Sequence, residues 1–451
     1  MSTAALDDLL SELGDAVFTG PARLDSVRRD YSGYVSTGAP LAVVEASSVA
    51  DVQAVLRIAS RHRVPVVPRG AGTGLAGGAI GTTGEIVLST LAMDRVLEIS
   101  PADELAVVEP GIINADLNAA VQPHGLWFAP DPASKAISTV GGNIATGAGG
   151  LLCAKYGVTR ESVLGLRVVL ADGSLLSLGH RSVKGVTGLD FTALMIGSEG
   201  TLAVIVEATV KLTPLPTGVV ATIGAYFPDV VSAAAASAAI TAARLRPAVM
   251  ELLDAPAVEI ISAYLHLDTP TGFAYLLVQT DGPASEREAT AALEIIRDLG
   301  GDAHLTTDPE EGERLLAVRR SFHPALAAAH TVLIEDVAVP RSALPAMFAA
   351  IDRISARYGL LIPTVAHAGD GNLHPNFLFE GDETPDLVWE AASDLFHSAL
   401  ELGGTLTGEH GVGLLKRRWL GEELGDRQLD LQRQVKRVFD PDGILNPGKV
   451  F

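Results

Sequence analysis

The stretch Pro68-Arg69-Gly70-Ala71-Gly72-Thr73-Gly74-Leu75-Ala76-Gly77-Gly78 constrains this chain more than any other. It places five glycines within nine residues, directly after a short apolar run at 64–67. Glycine gives up more conformational entropy on folding than any other residue, so such a loop is costly unless something docks against its backbone. Consecutive N–H groups on a glycine-rich turn cradle an anion, and only glycine lets a pyrophosphate come that close. Gly72, Gly74 and Gly77 match the bare G-x-G-x-x-G spacing, but that fingerprint has to open a helix. Here the next apolar segment, 85–89, follows Gly81-Thr82-Thr83-Gly84 and reads as a strand. The stretch therefore reads as a phosphate-cradling loop between strands, not as a Rossmann turn.

Its surroundings read as α/β. A strand at 41–44, a helix from Ser48 to about Arg61 and a strand at 64–67 follow in order. A strand at 106–109 and a helix at 114–123 lead to a second glycine-rich stretch, Ser138-Thr139-Val140-Gly141-Gly142-Asn143-Ile144-Ala145-Thr146-Gly147-Ala148-Gly149-Gly150. This reads as a wall of small residues against which a flat ring or a phosphate lies. Strands at 163–170 and 203–210 complete the half. Thr213-Pro214-Leu215-Pro216 then punctuates the chain, which places one domain at 1–213 and a second at 214–451. The second half alternates strands (219–227, 249–253, 271–280, 331–340) with helices (230–244, 286–299, 344–358). A further helix over 308–329 is interrupted near Pro324. That order suits an α+β domain with helices on one face of its sheet.

Composition excludes several classes. The 451 residues are 48% hydrophobic and 19% charged, a balance that supports ample core. A net charge of −21 repels a polyanion, and no basic run interleaved with aromatics appears, so nucleic acid is excluded. Cys153, the only cysteine, rules out an intrachain disulfide and a cysteine-ligated iron–sulfur site. The first twenty residues are acidic and amphipathic rather than signal-like, and no run of eighteen apolar residues occurs. A cytoplasmic protein is expected, with peripheral association at the inner face of a membrane left open.

The second half contains a different kind of motif. His367-Ala-Gly-Asp-Gly-Asn-Leu-His374-Pro-Asn376 sets two imidazoles seven residues apart, and Gly408-Glu409-His410-Gly411-Val412-Gly413 follows. Imidazole and carboxylate are the ligand set of a zinc-like site. The intervening Gly369-Asp370-Gly371-Asn372 favours a tight turn that folds His374 back beside His367. Glu409 then completes a His–His–Glu set and leaves His410 as a base.

Taken together and in order, these motifs resemble the FAD-linked oxidases of the vanillyl-alcohol-oxidase (PCMH-type) flavin fold, over most of the chain from about residue 40. The resemblance is strongest to the branch containing the glycolate oxidase flavoprotein subunit, D-lactate dehydrogenase and D-2-hydroxyglutarate dehydrogenase. It implies a two-subdomain FAD-binding domain, an α+β cap with an antiparallel sheet, and a tail from about 411 returning to the flavin. It also implies FAD contacts from Pro68, Arg69, Gly70, Ala71, Gly72, Thr73, Gly74, Gly77 and Gly78. Further contacts fall on Pro130, Asp131, Ser138, Thr139, Gly141, Gly142, Asn143, Ala145, Thr146, Gly149, Gly150, Tyr156, Gly157, Glu199, Gly200, Ile205 and Asn446. The loop at 68–78 contains neither His nor Cys, so the flavin is expected to be held non-covalently.

By the same resemblance His367, His374 and Glu409 are ligands of a divalent metal, zinc first, and His410 is the base. Asn376 and Arg319, with Arg320 as the alternative, face the substrate. Relatives of the hydroxyglutarate type carry a lysine where this chain has Ile334. That departure favours a monocarboxylic 2-hydroxy acid, D-lactate or glycolate, over D-2-hydroxyglutarate. The alternatives are a flavoprotein subunit of a larger glycolate or lactate dehydrogenase complex and a D-2-hydroxyglutarate dehydrogenase. The acceptor (quinone, electron-transfer protein or oxygen) and homodimerisation stay open.

Overall fold

The computed structural model describes residues 2–381 and 383–451 and divides into two compact units. One comprises Met1–Gly150, Gly157–Leu215 and Glu409–Phe451; the other comprises Leu151–Tyr156 and Pro216–Gly408. The short Leu151–Tyr156 segment thus belongs with the second half of the chain, although a linear boundary near 213 assigns it to the first. Among the described residues no helix is long and apolar enough to cross a membrane.

In the first unit, strands Ala42–Glu45, Ile86–Ser89 and Val66–Arg69 lie parallel in that spatial order, with Val17–Phe18 antiparallel at one edge. The crossover between Ala42–Glu45 and Val66–Arg69 is the helix Val49–His62. Its start is fixed by the Ser48 side chain, which accepts from the Asp51 N–H at 3.2 Å. Its buried Val52, Val55, Leu56 and Ala59 recur at helical spacing and pack on the sheet. The outer edge of Val66–Arg69 is covered by the C-terminal tail. The Val66 N–H donates to Ile444 O at 2.7 Å, and the Asn446 N–H donates to Val66 O at 2.8 Å. A second, antiparallel sheet runs Val96–Ser100, Leu105–Val108, Val204–Lys211, Val163–Val169, Leu175–Gly179.

The second glycine-rich stretch is helical in part. Val140–Thr146 forms a short helix with Thr139 as N-cap, its side chain accepting from the Gly142 N–H at 3.1 Å. Helix geometry is tolerated here because close packing requires glycine: a Cβ at Gly141 would lie 2.5 Å from Pro110 Cβ and 2.8 Å from Pro110 O.

In the second unit, one antiparallel sheet runs Asp302–Thr306, Ala221–Phe227, Ala274–Thr280, Val249–Leu253, Thr364–His367, Asn372–Phe379, Thr331–Ile334. One face carries Val249, Leu253, Tyr275 and Leu277, packed under residues of helices Ala255–Leu265, Pro309–Arg320 and Phe322–Ala329. The opposite face, with Met250, Leu252, Leu276 and Val278 buried, carries helices that include Val230–Ala242 and Ser285–Asp298. Helices therefore cover both faces, not one. The sequence shows the reason: MELL and LLV are near-continuous apolar runs, and a strand buried on both sides has no polar alternation. The break in the 308–329 helix falls at Ser321, so that Pro324 sits in the first turn of the next helix, where a missing N–H is tolerated.

Candidate active site

The two glycine-rich stretches of the first unit differ in one decisive respect. In the helix Val140–Thr146 the leading N–H groups are all committed. Val140 donates to Ile112 O, Gly141 to Pro110 O, Gly142 to Thr139 Oγ1 and Asn143 to Thr139 O. In the loop after Val66–Arg69, none of the N–H groups from Ala71 to Gly78 donates a hydrogen bond among the described residues. Buried or half-buried N–H groups without partners are rare in folded proteins. A run of them on a glycine loop fits an anion. The loop is held open from behind by Arg69, whose guanidinium donates to Ala79 O at 2.6 Å and to Arg29 O at 3.0 Å. Gly72 has a φ of +71°, and a Cβ there would strike that guanidinium. Gly70 is packed so closely on Thr139 that any side chain would collide with its hydroxyl.

The residues that the resemblance names around this loop are braced by one it does not name, Asn114. Asn114, fully buried, donates to Pro130 O at 3.0 Å and to Asn143 Oδ1 at 3.2 Å. Asn143 in turn donates to Ser138 Oγ at 3.1 Å. Gly150 lies against the Asp131 backbone with no room for a Cβ. Ala145 and Thr146 lie on the short helix, and Ile205 packs in the core of the antiparallel sheet. Asn446 closes the arrangement. Its Nδ2 donates to Gly78 O at 2.9 Å and to Glu199 O at 2.7 Å, while its Oδ1 is buried without a hydrogen-bond partner among the described residues. Lys449, also buried, donates to Ile80 O at 2.8 Å.

Glu199 has a φ of 52° and leads into Gly200, whose φ is +70° and where a Cβ would come 3.0 Å from Pro68 Cγ. Its carboxylate accepts from the Val412 N–H at 2.7 Å and the Gly413 N–H at 2.9 Å. Burial nonetheless pushes it up to about 7. In the same unit Glu409 lies against the glycine stretch: a Cβ at Gly149 would come 2.5 Å from Glu409 Oε2. His410 Nε2 is 3.8 Å from Glu409 Oε1. Tyr156 belongs to the other unit, where its hydroxyl donates to Asp281 Oδ2 at 2.5 Å.

In the second unit the histidine motif is a hairpin. Thr364–His367 pairs antiparallel with Asn372–Phe379, and His367 lies opposite Asn372. His374 is therefore on the strand, not in the turn, which is confined to 368–371. Gly371 makes that turn possible: its φ is +95°, and a Cβ would collide with Val339 O. Strand periodicity then puts His367, Asn372, His374 and Asn376 on one face. The two imidazoles meet edge-on, with ring centroids 5.1 Å apart.

Register adds residues to this face that no motif announced. Glu251 lies opposite His367 on the neighbouring strand. It is fully buried, and its Oε1 is 2.7 Å from His367 Nδ1. Its Oε2 accepts from Arg319 Nε at 2.6 Å. Asp336, also fully buried, accepts from Asn372 Nδ2 at 2.6 Å and from Thr407 Oγ1 at 2.5 Å, and its Oδ1 lies 3.8 Å from His374 Nδ1. Asn376 donates to His374 O at 2.6 Å and leaves Oδ1 without a partner among the described residues. Ile334 lies directly opposite Asn376 on the next strand. Arg319 joins the face, whereas Arg320 points to solvent and pairs with Glu313. Gly408 packs so tightly on Asn372 that a Cβ would overlap its amide.

Comparison with known proteins agrees with this division of labour. Residues 40–179 match the FAD binding domain family, and residues 217–450 match the FAD linked oxidases, C-terminal domain. The chain is 42% identical over 419 residues to the glycolate oxidase subunit GlcD of Bacillus subtilis (strain 168), covering 91% of this chain and 89% of that protein. It is 37% identical over 413 residues to a D-lactate dehydrogenase of Archaeoglobus fulgidus, covering 90% of each. Among solved structures, p-cresol methylhydroxylase with substrate bound superposes with a TM-score of 0.78 at 18% identity, covering 99% of this chain and 96% of that one, which fixes the fold as PCMH-type. The chain belongs to the FAD-linked oxidases: it is an FAD-binding oxidoreductase, similar to proteins named for glycolate and for D-lactate.

Proposed function

We propose that the chain oxidises a small D-2-hydroxy acid, D-lactate or glycolate in preference, to the corresponding 2-oxo acid. The observation that carries this reading is a single buried sheet face on which two imidazoles and a guanidinium converge next to Ile334. The imidazoles suit a divalent cation. The Arg319 Nε is committed to Glu251, and both its Nη groups stay available as donors to a carboxylate. Ile334 offers nothing to a second carboxylate, which favours a monocarboxylic substrate. The relatives named for glycolate and D-lactate agree with that class.

In this reading the glycine loop at 70–78 receives the FAD pyrophosphate without a covalent link. His367, His374 and Glu409 hold a divalent metal, zinc being the best chemical match. Gly408 is fixed against Asn372, and Glu409 follows it by one peptide bond. When bound, FAD would supply a hydride acceptor and the metal a Lewis acid that lowers the pKa of the substrate hydroxyl. The chain's own residues do the rest. Arg319 orients the substrate carboxylate, and Asn376 Oδ1 faces the same region as an acceptor. His410 takes the hydroxyl proton, since an imidazole is poised near neutral pH. Loss of that proton to His410, with the C2 hydride going to the acceptor that FAD would supply, would leave the 2-oxo acid.

The test is an anaerobic absorbance spectrum of the FAD-loaded protein with D-lactate, glycolate and D-2-hydroxyglutarate added separately. Bleaching of the oxidised-flavin band by one of the first two is expected. A band that none of the three bleaches sinks the substrate class.

A second reading, a flavoprotein subunit that passes electrons to a partner chain, is favoured by the exposed loop following Leu175–Gly179. Val183, Val186 and Leu189 are there 93%, 98% and 83% exposed. Reoxidation by an artificial dye but not by oxygen would select it.

A further inference from the structure

We infer that Glu251 is a positioning residue that sets the metal-binding orientation of His367 and the aim of Arg319 at once; this rests on the metal reading above. Three observations converge on it. Glu251 is fully buried in the middle of the sheet, where an isolated carboxylate is strongly disfavoured. Both of its oxygens are committed, one to His367 Nδ1 at 2.7 Å and the other to Arg319 Nε at 2.6 Å. It sits opposite His367 in register, so the contact is built into the strand pairing.

The chemistry of that arrangement is directional. A carboxylate at Nδ1 holds the proton there, and the lone pair then lies on Nε2, the nitrogen a metal needs. The charge of Arg319 balances Glu251, which permits both to be buried. One carboxylate therefore couples a metal ligand to the cation that faces the substrate. Strand ends keep it in place. Asp254, three residues on, accepts from the Thr364 N–H at 2.8 Å and from the Ala257 N–H at 2.9 Å, and so pins the Val249–Leu253 strand to Thr364–His367. Asp336 stands beside His374 in a similar place, 3.8 Å from its Nδ1.

The experiment measures zinc affinity by competition with a chromophoric chelator on FAD-loaded wild type, Glu251→Gln and Glu251→Asp. Wild type is expected to take up stoichiometric zinc. Glu251→Gln keeps the shape but presents an amide to Arg319, and its affinity is expected to fall about 10–100-fold. Its flavin absorbance should not change, because the flavin is held by the other unit. Glu251→Asp keeps the charge on a shorter arm and should recover part of the loss. A merely structural Glu251 would lower the melting temperature of both variants and leave zinc affinity at the wild-type value, which overturns the proposal. If Glu251→Gln does not fold, Glu251→Asp decides: an affinity between wild type and zinc-free supports the role, and an unchanged affinity refutes it. Wild type that takes up no zinc at all removes the metal reading itself, a failure distinct from that of Glu251.

Discussion

Asn446→Ala tests whether the C-terminal tail is part of the flavin cradle or only packs beside it. The side chain is 1% exposed, and its Nδ2 donates to Gly78 O and Glu199 O at 2.9 and 2.7 Å. Each such bond contributes about 0.5–1.5 kcal/mol, and loss leaves carbonyls without their donor. The backbone φ is 44°, in the left-handed region that asparagine tolerates better than alanine. Together these give a loss of about 2–4 kcal/mol in unfolding free energy. The two carbonyls belong to the glycine loop and to the turn before Gly200, so part of the loss should appear as flavin affinity. If 1.4–2.8 kcal/mol of it does, the FAD dissociation constant rises about 10–100-fold. The assay is titration of apoprotein with FAD, followed by flavin fluorescence, alongside urea unfolding of the same samples. Asn446→Gly relieves the backbone part and isolates the side-chain contribution. An Asn446→Ala variant that binds FAD within twofold of wild type while losing less than about 1 kcal/mol refutes the argument.

Four further outcomes are expected. His410→Ala should retain FAD but slow anaerobic flavin reduction by about two to four orders of magnitude in single-turnover measurements; near-normal reduction removes the base assignment. Ile334→Lys should shift the ratio of kcat/KM values toward D-2-hydroxyglutarate over D-lactate by about 10–100-fold, the range of one charge-assisted hydrogen bond. The raised Glu199 carboxyl gives a signed pH effect. Its folded value, about 7, exceeds the usual 4.5, so the folded protein holds the proton longer, and stability falls as pH rises from 4.5 to 7. Glu199→Gln should flatten that slope, worth up to about 3 kcal/mol across the window; parallel curves in urea unfolding at several pH values would exclude the effect. Gly371→Ala, forced to φ +95° against Val339 O, should cost at least about 2 kcal/mol and reduce zinc uptake, read by melting temperature and metal analysis.

Local chemistry made several features legible in the chain alone. The helix Val49–His62 follows from Ser48 and a buried stripe at helical spacing. The glycine loop follows a buried strand as its sequence reads, and its N–H groups from Ala71 to Gly78 donate to nothing among the described residues. The histidine spacing of seven, read as a turn, is a hairpin in which strand alternation brings His367 and His374 to one face. What the chain alone did not announce depends on register and on distant partners. Glu251 stands 116 residues before His367 and 68 before Arg319, inside a run that reads as an ordinary apolar strand. Asn446 meets Gly78 across 368 residues. Arg319 and Arg320 are adjacent in sequence, and only the packing of their helix on the sheet puts one against Glu251 and the other in solvent. Composition and spacing determined which groups are present and which backbone conformations they need. Strand pairing decided which of them touch, because a one-residue change of register would turn every side chain of a strand to the opposite face.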